Sequence, residues 1–511
     1  MTDELDQNGN GASPHVRIAI IGTGFSGLGM AIRLKRAGID DFVVLERADD
    51  VGGTWRDNTY PGCQCDVPSH LYSFSFAPNP EWSRTFSRQP EIWDYLRDCA
   101  DRFGVRPHIR FGHELLEAAW DEQHQRWQLD TSRGKLTAQV VVSGTGGLSE
   151  PSIPAIRGLE DFEGTVFHSA AWDHDHDLSG ERVAVIGTGA SSIQFVPRIQ
   201  PQVGRLHLFQ RTPPWIMPHS DRPVSSVERR AFRAAPLVQR LIRRAVYWSR
   251  EALVLGLTHS RRMKLLEVGG RAHLRAQVRD PKLRAKLTPN YRLGCKRILI
   301  SNDYYPALAK KNVDVVNVGI EEVTARGIRT SDGTEREVDT IILGTGFHVT
   351  DTSAATHVRG RDGRTLADVW DGSPQAYLGS AIAGFPNLFM LLGPNTGLGH
   401  TSVVFMIEAQ IAHIMQCVRA MEQRDLGAVE VRPEVQDAYN RDIQSQMRDT
   451  VWTSGGCQSW YIDAAGRNST LWPDFTWRFR KRASEFRESE YDVRPAEPAP
   501  PAVTASSRAS Q

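Results

Sequence analysis

Two segments of this chain carry the same glycine punctuation, and each is followed 24 residues after its first glycine by a charged residue, acidic in one and basic in the other. The first reads HVRIAIIGTGFSGLGMAIRLKRAGIDDFVVLERADD. Its apolar run at 16–21 predicts a strand buried on both faces. Gly22, Gly24 and Gly27 then form G-x-G-x-x-G ahead of an amphipathic helix, with Ser26 inside the turn. The first glycine permits the tight turn, the second lets a pyrophosphate approach the backbone, and the third lets helix and strand pack closely. Free N–H groups and the positive end of the helix dipole then face the phosphates. Glu46 closes the next strand, FVVLE. A carboxylate there accepts hydrogen bonds from ribose hydroxyls and repels a 2′-phosphate, so this site suits FAD or NAD and not NADP.

The second segment reads ERVAVIGTGASSIQFVPRIQPQVGRLHLFQRT. Gly187 and Gly189 head its turn, and Ser192 stands at the third glycine position, where a small residue suffices. Arg211, followed by Thr212, takes the place that Glu46 has in the first unit. A guanidinium grips a 2′-phosphate with a bidentate fork, which tunes this unit for NADP. The fold class that follows is α/β, with two Rossmann-like dinucleotide-binding domains. Two further strands end in glycines, at 144–147 and 344–346. They read either as crossings between the domains or as ordinary strand-end turns.

The 511 residues leave room for two or three domains. A net charge of +1 gives no overall field for nucleic acid or lipid. No run approaches the 18 or so apolar residues of a membrane span, and the polar N-terminus is not expected to be a secretory signal. Six cysteines at irregular spacing suggest no disulfide framework, which makes a reducing cytoplasm the default compartment. Cys63 and Cys65 form C-x-C, Cys295 and Cys457 lie far off in sequence, and no four-ligand metal spacing or C-x-x-C is present. Residues 1–14 and the Pro/Ala/Ser-rich stretch 486–511 are expected to be a disordered leader and tail.

Between the glycine motifs, Phe162, Gly164, His168, Trp172 and Asp173 fit F-x-G-x-x-x-H-x-x-x-W-[P/D]. This resembles the fingerprint of type I Baeyer–Villiger monooxygenases, flavoproteins of the phenylacetone and cyclohexanone monooxygenase kind. The likeness runs from about residue 16 to about 480. It implies FAD and NADPH as cofactors, O2 and a ketone as substrates, and an ester or lactone as product, made through an oxygen adduct at flavin C4a. It places Thr54, Trp55, Tyr72 and Asn395 with FAD. It places Gln64, Ser191, Gln194 and Trp460 with NADP, Trp460 on a loop that closes over that cofactor. In GCKR, Lys296 matches the family's lysine near the 2′-phosphate and Arg297 its catalytic arginine. Arg297 would be a permanent cation at the reacting centre, held by Asp66, which also lies against the flavin. His168 and Trp172 read as hinge or packing residues. The rivals are a sulfur or nitrogen oxygenase of the flavin-containing type, and a flavin NADPH oxidase or redox sensor without an organic substrate.

Residues 221–290 break the pattern with about 17 basic and 5 acidic residues at helical spacing. This resembles the family's helical insertion at the substrate entrance. Either its basic faces are simply solvated, or 246–257 and its arginines make weak peripheral contact with an anionic membrane. The expected layout is an FAD domain of 15–150 and 345–485, an NADP domain of 151–220 and 291–344, and the insertion 221–290. The identity of the ketone and the oligomeric state are not written in any motif.

Overall fold

The computed structural model describes residues 13–496 except residue 352. Most of the expected leader, and residues 497–511 of the expected tail, lie outside that range. Two sheets organise the chain. The first contains β1 (His15–Ile21), β2 (Phe42–Glu46), β3 (Ile109–Phe111), β4 (Leu115–Asp121), β5 (Arg126–Thr131) and β6 (Gly134–Ser143). Its order runs from the strand Val358–Arg359 through β4, β5, β6, β1 and β2 to β3, with Leu388–Met390 beside the end of β6. β1 pairs in parallel with β2 and β6. Side chains alternate across a strand, so Ile18 and Ile20 enter one core while Ala19 and Ile21 enter the other.

The second sheet is wholly parallel, in the order β10, β9, β8, β11, β7. Its strands are β7 (Thr165–His168), β8 (Arg182–Ile186), β9 (Arg205–Phe209), β10 (Val313–Val316) and β11 (Thr340–Leu343). The same division recurs in it: Val183 and Val185 face one cluster, Ala184 and Ile186 another.

The two sheets repeat one another around their first strands. Gly22 N donates to Leu45 O at 2.8 Å, and Gly187 N to Phe209 O at 3.1 Å. Gly144 N bonds Ile21 O, and Gly344 N bonds Ile186 O, each at 2.8 Å. A β-carbon on Gly187 would lie 2.2 Å from Gly344 O. The glycines ending β6 and β11 are therefore dictated by the nucleotide turns pressed against them. Both also sit where the chain changes sheet: β6 leads to β7, and β11 leads back to Val358–Arg359.

The insertion folds as helices, including α3 (Ser226–Ala234), α4 (Pro236–Glu251), α5 (Met263–Gln277) and α6 (Pro281–Lys286); α1 (Phe25–Arg36) and α2 (Ser192–Ile199) follow the two glycine turns. A Ser225–Glu228 capping box starts α3, and Pro236 at the first turn starts α4. One helix, α7 (Val403–Gln423), is long and apolar enough to cross a membrane by length and composition. It packs instead against α1 and the helix Thr476–Ala483, with most of its apolar residues buried.

The expected tail begins too early. Residues 491–495 form β13 (Tyr491–Pro495), antiparallel to β12 (Leu426–Val431). Tyr491 is buried and its hydroxyl meets His413 Nε2 at 2.7 Å. The Pro/Ala composition beyond residue 495 masked this short anchoring strand.

Candidate active site

The first glycine turn has the geometry its sequence predicts. Gly22 has φ of +91°, and a β-carbon on Gly27 would lie 1.9 Å from Gly22 O. Gly24 stands at the N-cap of α1 with no side-chain cap, so the first N–H groups of the helix are left for an anion. Ser26 is buried in the first turn of α1.

Glu46 lies beside this turn, but its oxygens are engaged. Oε2 accepts from Thr23 N at 3.0 Å and Thr23 Oγ1 at 2.5 Å. Oε1 accepts from Ala48 N at 3.0 Å and faces Arg56 Nη1 at 3.1 Å. A carboxylate has about four acceptor positions, so a ribose bound here must displace the Thr23 hydroxyl or Arg56. Neither residue is visible as a partner in the glycine motif.

The single helical turn Thr54–Asp57 brings Thr54 and Trp55 close to the first glycine turn, where Gly53 lies against Gly24. Trp55 Nε1 donates to Tyr72 OH at 3.1 Å. Asn395 has φ of +57° and is buried. Its amide donates to Asn468 O at 2.7 Å and Leu471 O at 2.9 Å, pinning the 393–398 loop to the 468–472 segment.

In the second unit, Ser192 is buried against Gly344, and Gly189 and Ser191 lead into α2 without a side-chain cap. Thr188 Oγ1 reaches Thr212 O at 3.4 Å, tying the turn to the segment after β9. Gln194 is fully used by the protein. Its Oε1 accepts from Tyr60 OH and Gln64 N, each at 3.1 Å, and its Nε2 donates to Gln64 O at 3.0 Å. It clamps the 60–64 segment, which precedes Asp66, onto α2.

Arg211 and Lys296 approach one another, and neither has an acidic partner among the described residues. Burial, and then the Arg211 charge, hold the Lys296 ammonium below the usual lysine range. Lys296 Nζ also sits 5.3 Å from the Tyr291 ring centre. Two cations left together without a carboxylate make a site for a multiply charged anion.

Next to Lys296, Arg297 forms a two-pronged ion pair across the sheets. Its Nε donates to Asp66 Oδ2 and its Nη2 to Asp66 Oδ1, both at 2.7 Å. Burial alone would raise the Asp66 carboxyl, but the Arg297 charge and hydrogen bonds hold it below the usual range. The Asp66 charge in turn holds Arg297 firmly protonated. Nη1 has only a long contact, 3.5 Å to Leu398 O.

Sequence reasoning misses Tyr461 beside this pair and the Glu251 contact that anchors the insertion, while it singles out Trp460. Tyr461 is buried, and its hydroxyl has no partner. Burial pushes its phenol up to about 12, while the nearby Arg297 pulls the other way. Glu251 at the end of α4 is fully buried, and its Oε1 lies 3.2 Å from His400 Nε2 and 2.7 Å from Thr476 Oγ1. It ties the insertion to the 393–402 loop. Trp460 is half-exposed and stands edge-on to Tyr461, with ring centres 4.5 Å apart.

The cysteine reading needs correction. Cys295 and Cys457 are joined by a disulfide that spans 162 residues, with a Cα–Cα distance of 6.1 Å. It links the residue before Lys296 to the loop carrying Trp460. Such a sequence separation cannot be paired from spacing alone, and the bond removes the cysteine argument for a reducing compartment. Cys63, Cys65, Cys99 and Cys417 are free and buried, with Cys63 pushed up to about 12 by burial. Reducing the bond is expected to cost about 2–4 kcal/mol of stability. Melting curves with and without dithiothreitol check this, and coincident curves would contradict it.

Three of the fingerprint residues make local capping and packing contacts. His168 Nδ1 accepts from Ala170 N at 3.1 Å and caps a short turn. Trp172 packs on Phe167 and Phe195, at 5.2 Å in each case. A β-carbon on Gly164 would lie 2.2 Å from Asp339 O.

Comparison with known proteins places this geometry. The pyridine nucleotide-disulphide oxidoreductase family profile matches residues 19–232. The chain is 55% identical over 487 residues to a Baeyer-Villiger monooxygenase of Streptomyces coelicolor, covering 94% of this chain and 93% of the relative. It is 54% identical over 485 residues to a Baeyer-Villiger monooxygenase of Pseudomonas aeruginosa, covering 94% and 92%. The crystal structure of cyclohexanone monooxygenase from Rhodococcus sp. Phi1 bound to NADP+ matches with a TM-score of 0.85 and 29% identity, over 95% of this chain and all of that one. At this level of identity over nearly the whole length, the chain belongs to the Baeyer–Villiger monooxygenases, FAD- and NADPH-dependent enzymes that insert one oxygen atom beside a ketone carbonyl.

Proposed function

We propose that Arg297 is the cation on which oxygen insertion turns and that Asp66 positions it. The observation that carries this reading is the two-pronged pair itself. Asp66 engages Nε and Nη2, which leaves Nη1 to donate to an occupant. Bound FAD, reduced by NADPH, supplies the activation of O2. Arg297 supplies fixed positive charge where negative charge develops on the ketone oxygen, and guanidinium cannot lose its proton at working pH. That demand for negative charge weighs against a sulfur or nitrogen oxygenase as the main role.

The FAD phosphates fit the turn of Gly22, Gly24, Ser26 and Gly27, and the ribose lies toward Glu46. Thr54, Trp55 and Tyr72 would line the flavin site, and Asn395 would help hold it by shaping the 393–398 loop. NADP fits the turn of Gly187, Gly189, Ser191 and Ser192, with Arg211, Thr212 and Lys296 around the 2′-phosphate. Gln194 and Gln64 act by holding the 60–66 segment, and Trp460 would cover bound NADP. In this reading residues 15–150 and 345–485 serve FAD, 151–220 with 291–344 serve NADP, and the two-sheet arrangement supports that division. The substrate is a ketone, and O2 is the co-substrate. Turnover under heavy-isotope O2 tests this, since the ester must carry one heavy oxygen atom. An ester labelled only from water would overturn it.

A further inference from the structure

The insertion leaves one apolar face without a partner. The inner face of α4 is fully used: Gln239 bonds Asn79 O, Arg243 bonds His70 O, Tyr247 stacks on Phe405, and Glu251 holds His400. The outer face carries Leu237, Leu241 and Trp248, at 66%, 55% and 53% exposure, and Leu255 continues it at 49%. With the exposed Ala245 and Ala252, these positions recur every three or four residues. That spacing makes one stripe about 27 Å long at helical rise. Exposed apolar side chains are normal when scattered; a continuous stripe marks a docking surface.

Charge selects the occupant. Arg230, Arg240, Arg244, Arg261 and Lys264 are exposed and have no acidic partner among the described residues. The three acids between 226 and 268 all face inward or are paired: Glu228 with Arg222, Glu251 with His400, and Glu267 with Arg292. A second copy docked by two-fold symmetry would set these cations against themselves. An anionic bilayer offers both an apolar layer and the opposite charge. We propose that the outer face of α4, continued to Leu255, docks this enzyme on an anionic lipid surface. Within 246–257 only Trp248, Ala252 and Leu255 belong to this face, since Val246, Val254 and Leu257 turn inward. Because the same helix reaches the 393–402 loop through Glu251, the docked face sets the catalytic side of the molecule close to membrane-dissolved ketones.

Flotation of the full-length FAD-loaded enzyme with vesicles tests this. The enzyme is expected to float with phosphatidylcholine vesicles containing phosphatidylglycerol, and not with pure phosphatidylcholine or in high salt. Leu241→Asp with Trp248→Asp is expected to abolish flotation while FAD content and turnover of a water-soluble ketone stay unchanged. Arg240→Glu with Arg244→Glu, which leaves the apolar stripe intact, is expected to weaken partitioning at least tenfold. Wild-type enzyme that ignores phosphatidylglycerol vesicles overturns the proposal. So does flotation unaffected by both double variants, or a stripe-dependent dimer in sedimentation velocity without lipid binding.

Discussion

Arg297→Ala is expected to reduce its flavin with NADPH at near wild-type rate yet lose ester formation by roughly 100- to 1000-fold, about 3–4 kcal/mol of lost charge stabilisation. The asymmetry follows from geometry. Among the described residues Arg297 hydrogen-bonds only Asp66 and, at long range, Leu398 O, and neither belongs to a nucleotide turn, so its removal is expected to leave both turns in place. The half-buried Asp66 loses the charge that holds its carboxyl low, so it takes up a proton more readily. Arg297→Lys keeps a charge but loses the fork, and an intermediate rate is expected. Stopped-flow flavin reduction and product analysis separate the two halves of the cycle. Full ester yield from Arg297→Ala would remove this residue from the chemistry.

The second large effect concerns which nicotinamide cofactor is used. Arg211→Ala and Lys296→Met are each expected to raise the KM for NADPH roughly 10- to 100-fold, the worth of one charge-assisted hydrogen bond at about 1.5–3 kcal/mol. NADH, which lacks the 2′-phosphate, should respond to neither change. Lys296 adds a pH signature. Burial and Arg211 hold its pKa low in the free enzyme, and a bound phosphate raises it. NADPH binding is therefore strongest below the free-enzyme value and weakens as pH rises through the bound-state value. Lys296→Met should remove that dependence. Equal losses with NADH and NADPH would show that these cations act on structure alone.

Local sequence was a good guide wherever backbone geometry dictates residue type. Gly22, Gly27 and Gly187 had to be glycine because of close approach, and their strands and helices follow. The meeting of Arg297 with Asp66 joins residues 231 positions apart, and only the family resemblance announced it. Side-chain saturation was invisible. Glu46 already holds Thr23, Ala48 and Arg56, and Gln194 already holds Tyr60 and Gln64, because tertiary neighbours compete for the same lone pairs. The Cys295–Cys457 bond, the Tyr461 hydroxyl and the Glu251–His400 pair each needed segments that no spacing rule brings together. Composition misled at 486–496, where one buried tyrosine and a short strand outweigh the proline-rich stretch beyond.

The most direct test of the account is stoichiometry. A panel of ketones is offered to the FAD-loaded enzyme, and NADPH consumed, ester formed and H2O2 released are measured together. The account predicts at least one ketone that speeds NADPH oxidation and returns one ester per NADPH with little H2O2. H2O2 matching NADPH for every ketone would contradict it.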